Sequence, residues 1–365
     1  MLEKKTIAVV VPAYNEERQI GNVLDTIPEF VDNIIVVNDH STDSTGDIVQ
    51  QYIARNEATT EVNHVSGKIT VSKYNRAEIV LHQQLEAEKK YFTPARIMNQ
   101  APERERVILI NHLENAGVGA AIATGYKWCK DHGIDCTAVM AGDGQMDPAE
   151  LESICRPVIE EGIDYVKGNR LIHRSAWFVV PKVRYFGNSI LSIFTKIASG
   201  YWHVSDTQTG YTAISKKALN AIRLHKIYKR YGMPNDLLVK LNIAFCTIKE
   251  VEIKPVYGIG EQSKMKILRV IPRISWLLFK SFFKRLWIKY LFRDFHPLFL
   301  LYHFAFILLS LAAPYGIKIL KIFITHEQPL NPVTMLAFIF LFISSFQSLF
   351  FAMWMDIQDN ERLYK

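Results

Sequence analysis

The chain has 365 residues, 49% of them hydrophobic and 22% charged, with a formal net charge of +7. That balance excludes a disordered chain and leaves room for one large domain or two. The positive excess is local: Lys264 to Arg293 holds nine Lys/Arg and no Asp/Glu. So apolar a basic segment argues against nucleic acid as a partner.

In chain order, TIAVVVP (6–12) and NIIVVND (33–39) are β-branched runs ending in turn or acidic residues, the pattern of buried parallel strands. The N-terminal stretch MLEKKTIAVVVPAYNEE holds only a six-residue apolar run before polar residues, too short for a signal peptide, so the first two-thirds is expected not to be exported. Between the two strands, Ile20, Val23, Leu24 and Ile27 have helical spacing. Residues 56–105 break this rhythm with mixed polar and charged sequence; they read as an insertion on the sheet rim with one helix near Ala77 to Lys90. VILIN (107–111) and TAVMA (137–141) restore the strand pattern around a helical GAAIATGYKWCKDHG. Alternating strands and helices predict an α/β domain with a parallel sheet, which collects ligands at the carboxyl ends of its strands. Pro12 to Glu16, Asp39, Asn115 and Asp143 all fall there.

Gly117-Val118-Gly119 lacks the small third position of a dinucleotide loop, which argues against a nicotinamide enzyme. Cys129, Cys136, Cys155 and Cys246 have neither zinc-site spacing nor disulfide-scaffold density, which predicts buried, reduced thiols.

The C-terminal third differs. Leu298 to Ile317 and Val333 to Met355 carry no formal charge with His303 neutral, and roughly 20 apolar residues span a bilayer as a helix. They predict a transmembrane hairpin. The cations before it place the N-terminal domain and the C-terminal tail in the cytoplasm, although Lys318 and Lys321 mildly oppose this. Arg269, Arg273, Lys280 and Lys284 lie at helical offsets 0, 4, 11 and 15, within a ~60° arc. With Leu, Ile, Trp and Phe between them they predict a basic amphipathic helix in the lipid interface, or else a soluble helix packed on the preceding domain.

The motifs VVVPAYNEE, VVNDHSTDST, NAGVGAAIATG, AGDGQMDP, KGNR, SDTQTGYTAIS and GEQSK follow one another over about residues 5–265, the insertion excepted. Together they resemble the family 2 glycosyltransferases of GT-A fold, and more narrowly the polyprenyl-phosphate glycosyltransferases such as dolichyl-phosphate mannose and glucose synthases. The resemblance implies a GT-A, Rossmann-like nucleotide-sugar domain over 1–262, a basic juxtamembrane segment over 263–296, and a membrane hairpin with a short tail over 297–365. It implies transfer of one sugar from a UDP- or GDP-sugar donor to a polyprenyl or dolichyl phosphate, with inversion and with Mg²⁺ or Mn²⁺. Self-association into a homo-oligomer is compatible with it.

Residue by residue, Pro12, Ala13 and Tyr14 are placed to hold a nucleobase, and Glu16 and Asp39 to accept bonds from base or ribose. Glu16 could instead charge a helix start, and Asp39 could serve a turn. Asn115 and Gly117 are further donor-side candidates. The resembled enzymes usually carry Asp-x-Asp with a Gln two residues on; here Ala141 replaces the first acid, leaving Asp143 and Gln145 as metal ligands. Magnesium is commonly held by only one or two carboxylates plus phosphates and water, so this loss is expected to weaken metal binding rather than abolish catalysis. Asp147, before Pro148, reads as a helix N-cap. The resemblance puts Arg170, Arg184, Asn188, Asp206 and Gln208 on the acceptor phosphate, for which arginine's planar fork is suited. Asp206 could equally pair with Arg170 or Arg184. Asp236 stands where the superfamily often has a catalytic acid, and Lys264 could stabilise the leaving diphosphate. Two rival readings remain: a processive polysaccharide synthase, disfavoured because no Gln-x-x-Arg-Trp follows, and a non-catalytic membrane scaffold, kept open by Ala141.

Overall fold

The computed structural model describes residues 2–55, 72, 74–257, 267–325 and 329–365. The first half runs β1 (Ile7–Ala13), α1 (Ile20–Thr26), β2 (Asn33–Asn38), α2 (Thr45–Arg55), α3 (Arg76–Glu88), β3 (Ala95–Ile97), β4 (Val107–His112), α4 (Val118–Asp131) and β5 (Cys136–Val139). It continues through α5 (Leu151–Glu160), β6 (Tyr165–Asn169), α6 (Ala176–Val179), α7 (Lys182–Ser199), β7 (Thr212–Ser215), α8 (Lys216–Ala221), α9 (Met233–Ile243) and β8 (Ile248–Glu252). Last come α10 (Ile267–Trp287), a π-helical turn (Ile288–Arg293), α11 (Leu298–Thr325) and α12 (Pro332–Glu361).

The strands form one sheet in the order β3-β4-β2-β1-β5-β7-β6-β8. β1, β2, β4 and β5 are mutually parallel, as expected from their apolar runs. The wholly parallel expectation is corrected at β7, which runs antiparallel to both β5 and β6. Its register pairs Val139 with Thr212, so the loop entering β7 lies at the carboxyl end of β5. That reversal puts residues 206–211 beside residues 140–147.

Side chains alternate along the strands. Ala8 and Val10 of β1 join one buried layer with α4, α8 and α9, while Ile7, Val9 and Val11 join another with α1 and α5. Within the insertion the expected helix is α3, and β3 pairs antiparallel with β4 at the sheet edge. All four cysteines are free and buried.

The two apolar C-terminal helices are long and apolar enough to cross a membrane. They pack antiparallel: Ser345 Oγ donates to the Ala305 carbonyl at 2.9 Å, and Gly316 sits against the Phe338 ring. A third apolar cluster, including Ala198, Val239, Leu278, Leu286, Tyr302 and Ala352, joins α7, α9 and α10 to this hairpin. α10 packs on the domain and hairpin by one face, as the second alternative expected, and leaves a basic, aromatic face exposed. Ile274, Leu278, Phe282 and Leu286 are buried against its neighbours, while Arg273, Trp276, Phe279, Lys280 and Lys284 are exposed. Two of the nine cations counted before the hairpin, Arg285 and Lys289, are fully buried and paired inside the protein.

Candidate active site

Four strand ends build the site. At β1, Pro12 and Ala13 are buried, Tyr14 is 36% exposed, and Glu16 is half-buried in the turn whose carbonyl begins α1. At β2, Asp39 donates its backbone N–H to the Ala13 carbonyl at 2.9 Å, tying the two ends together. Its carboxylate accepts the Ala116 N–H at 3.0 Å and the Gly117 N–H at 2.7 Å, and Oδ1 lies 2.8 Å from His112 Nδ1. Burial pushes the Asp39 carboxyl up, but the His112 bond and the two backbone donors outweigh it and hold it below the ordinary carboxylate range. Asn115 Nδ2 donates to the Asp39 carbonyl at 3.2 Å. The head of α4 is thus capped by an acid from a neighbouring strand, and those two backbone donors are occupied.

Gly117, at φ +97°, and Gly119 let residues 228–230 approach the start of α4. A Cβ on Gly117 would stand 2.6 Å from the Lys229 carbonyl, and one on Gly119 would stand 2.1 Å from the Tyr228 carbonyl. Asp236, buried in the first turn of α9, holds this loop: its carboxylate accepts the Tyr228 N–H at 2.8 Å and pairs with Lys240.

At β5, the Gly142 N–H donates to the Pro12 carbonyl at 3.2 Å, and Gly144 at φ +74° turns the chain. Asp143 is half-buried; its Oδ1 accepts the Gln145 N–H at 3.0 Å. The Gln145 side-chain nitrogen is buried without a hydrogen-bond partner, and rotating the amide by 180° would present its oxygen instead. Asp147 is the N-cap expected, accepting the Ala149 N–H at 3.0 Å ahead of Pro148. Among the described residues no three His, Cys, Asp or Glu form a metal cluster. One carboxylate and one buried amide nevertheless suit a cation whose other ligands come from phosphate and water.

The loop before β7 closes onto this turn. Tyr211 donates its hydroxyl to the Asp147 carbonyl at 2.9 Å, and a Cβ on Gly210 would rest against Met146. The motifs expected on the donor and acceptor sides, some sixty residues apart, are therefore in contact.

Arg170, at the end of β6, resolves the open pairing of Asp206. Its Nε lies 2.8 Å from Asp206 Oδ2 and its Nη2 3.2 Å from Oδ1, leaving Nη1 outside the fork. Burial acts on both charges, and their mutual attraction more than offsets it, keeping Asp206 below the usual range. Arg184 and Asn188 are half-buried on α7, with the Arg184 guanidinium 5.7 Å from the centre of the Tyr257 ring. Gln208 Nε2 donates to Asn235 Oδ1 at 2.8 Å, and Thr195 of α7 donates to the same oxygen at 3.0 Å. Lys264 lies outside the described residues.

Sequence reasoning missed the support beneath Arg170. Lys167 is fully buried and donates to the Thr209 carbonyl at 2.5 Å; burial lowers it to about 8. Glu250 accepts the Ser205 and Asp206 N–H groups at 3.0 and 3.1 Å, and the Asn169 amide at 2.9 Å. The available signal was Lys167 and Asn169, polar residues on alternate positions of a strand that is buried throughout.

The model described as Glycosyl transferase family 2 matches residues 8–80 and 88–223, more than half of the chain. The chain belongs to this family. Among family 2 relatives, the UDP-N-acetylglucosamine–dolichyl-phosphate N-acetylglucosaminyltransferase of Methanococcus voltae is 30% identical over 254 residues, covering 69% of this chain and 86% of that protein. An undecaprenyl-phosphate mannosyltransferase of Micrococcus luteus is 24% identical over 264 residues, covering 71% and 87%. A solved glucosyl-3-phosphoglycerate synthase from Mycobacterium tuberculosis, in complex with Mn²⁺, UDP-glucose and phosphoglyceric acid, superposes with a TM-score of 0.46 at 18% identity, covering 77% and 80%. As a family 2 member with a mixed, Rossmann-like sheet, the chain is a glycosyltransferase of GT-A type.

Proposed function

We propose that this glycosyltransferase moves a single sugar from a UDP- or GDP-sugar to a polyprenyl phosphate on the cytoplasmic leaflet. The observation carrying the reading is the closure of the 206–211 loop, paired to Arg170, onto the Asp143 turn, on a domain whose core runs into a membrane-type hairpin. Relatives named for dolichyl-phosphate and undecaprenyl-phosphate acceptors, each with a different sugar, support the acceptor class and leave the sugar open.

Pro12, Ala13 and Tyr14 hold the nucleobase, with Glu16, Asn115 and the Asp39-capped start of α4, including Gly117, shaping the ribose side. Asp143 and Gln145 would hold Mg²⁺ or Mn²⁺, which when bound neutralises the donor diphosphate. Arg184 and Asn188 on α7, with the Nη1 side of Arg170, receive the acceptor phosphate; Asp206 and Gln208 fix that arginine and the loop. Asp236 acts through the 228–230 loop. The second pKa of a phosphate monoester is about 6, so at pH 7 its oxygen is already an anionic nucleophile and no protein base is required. That oxygen bonds to the anomeric carbon from the face opposite the diphosphate, whose carbon–oxygen bond breaks, so the configuration inverts. The protein's part is positioning and charge stabilisation.

The test is purified protein with labelled UDP- and GDP-sugars, Mg²⁺ or Mn²⁺, and dolichyl or undecaprenyl phosphate, with UDP-N-acetylglucosamine the first donor. An acid-labile glycolipid with one donor is the expected product; none with any common donor overturns the reading.

A further inference from the structure

Where the second apolar helix leaves the hairpin, a buried polar cluster grips the catalytic domain. All five N–H donors of Arg285 are used. Its two Nη groups meet Asp356 Oδ1 and Oδ2 at 2.7 Å each, and Nη1 also reaches the Tyr290 hydroxyl at 3.3 Å. Nε donates to the Ala198 carbonyl at 3.0 Å and Nη2 to the Ile197 carbonyl at 3.1 Å. Those two carbonyls end α7, where an arginine both satisfies orphan acceptors and complements the helix dipole. Gly200, at φ +79°, completes the fit, since a Cβ there would stand 2.6 Å from Arg285 Nη1.

A second arm reaches α9. Lys289 Nζ lies 3.2 Å from Asn242 Oδ1 and 2.5 Å from Asn360 Oδ1, and Asn242 also donates to Asn360 at 2.7 Å. Arg293 donates to the Ile243 carbonyl, at the end of α9, at 2.7 Å. Beyond α12 the chain pairs with the sheet edge: the Ile248 N–H donates to the Leu363 carbonyl at 2.7 Å, and the Lys365 N–H to the Ile248 carbonyl at 3.0 Å. Tyr364 packs against His203, three residues before Asp206.

α7 and α9 are held by their C-terminal ends, and each carries acceptor-side residues toward its start: Arg184 and Asn188 on α7, and on α9 Asn235, which holds Gln208. From Arg184 to Ile197 is thirteen residues, roughly 20 Å of rigid helix. Burying so many charged groups costs solvation that an apolar core would not, so stability alone is a poor reason for the cluster. We propose that Arg285 and Asp356 are positioning residues, which fix α7 and α9 against the membrane hairpin and so set the acceptor groups at the height of a bilayer-held phosphate.

This rests on the polyprenyl-phosphate reading, and the test separates the two. Asp356→Asn keeps the shape of the carboxylate and removes its charge. Full-length wild-type and D356N proteins are compared on a long-chain polyprenyl phosphate in vesicles and on a short-chain, water-soluble one. We expect about a tenfold loss of efficiency on the vesicle substrate, seen in acceptor KM, with the soluble acceptor and UDP or GDP binding changed less than twofold. Arg285→Lys, which keeps charge and loses the fork, should fall between the two. Equal losses on both acceptors, or none on either, overturn the proposal. Amide hydrogen exchange gives an arm independent of turnover: D356N should speed exchange over 197–206 and 242–248 and leave 107–112 unchanged. Unchanged exchange in the first two stretches refutes the lock even if the wild type forms no glycolipid, a result that by itself counts only against the assigned acceptor.

Discussion

At Asp143 a single carboxylate stands where the resembled enzymes carry two, because Ala141 offers only a methyl group. If it anchors the cation beside the donor diphosphate, Asp143→Ala should lower single-turnover rates at least a hundredfold, about 2.7 kcal/mol of transition-state stabilisation. Ala141→Asp should instead lower the Mg²⁺ or Mn²⁺ concentration needed for half-maximal rate and leave the saturated rate nearly unchanged. Metal titrations of both variants check this, and wild-type turnover in Asp143→Ala refutes the metal assignment. Lys167 supplies a different handle. Burial holds it at about 8, below the ordinary lysine value, so between pH 8 and about 10.5 the unfolded chain binds the proton that the folded chain has lost. Its contribution to stability therefore rises with pH across that window, by up to about 1.4 kcal/mol per unit. Thermal midpoints in detergent should climb less, or fall more steeply, from pH 8 to pH 10 in Lys167→Met than in wild type; parallel curves would contradict the assignment.

Among elements, α4 shows how backbone sets the site. Its first turn needs Asp39 from β2 as a cap and two glycines to admit the 228–230 loop, which Asp236 holds from α9. Gly119→Ala places a carbon 2.1 Å from the Tyr228 carbonyl and 2.8 Å from the Met233 Cβ. Backbone on one side and a buried side chain on the other cannot both withdraw, so a loss of about 1–3 kcal/mol follows. Calorimetry in micelles should show the lowered midpoint, with weakened nucleoside diphosphate binding because the head of α4 moves. The β7 reversal acts at the same scale, bringing the loop that holds Asp206, paired with Arg170, and Tyr211, bonded to Asp147, onto the turn that carries Asp143.

Across the whole molecule, the hairpin and the catalytic domain share one apolar cluster, and the C-terminal residues return to the sheet edge. If α11 and α12 cross a bilayer as proposed, the ends that adjoin the domain lie on its side, and the connection near Asn331 lies on the other. The native cysteines are buried, so Asn331→Cys provides an exposed thiol on a quiet background. A membrane-impermeant maleimide should label it only from the face opposite the catalytic domain, and labelling from the domain's side would break the proposed topology.

The sequence by itself determined the four parallel strands, the helices between them, the apolar hairpin and which polar residues stand at the carboxyl ends of the strands, because these follow from local periodicity and strand ends. Asp147 as an N-cap was legible for the same reason: capping is decided within three residues. Only the tertiary structure decided which acid Arg170 meets, that β7 runs backward, that Lys167 and Glu250 lie beneath the site, and that Arg285 and Lys289 face inward. Each of these depends on what a distant segment brings alongside. A cation on an amphipathic helix reads the same in sequence whether lipid or a buried carboxylate awaits it, and only packing distinguishes the two.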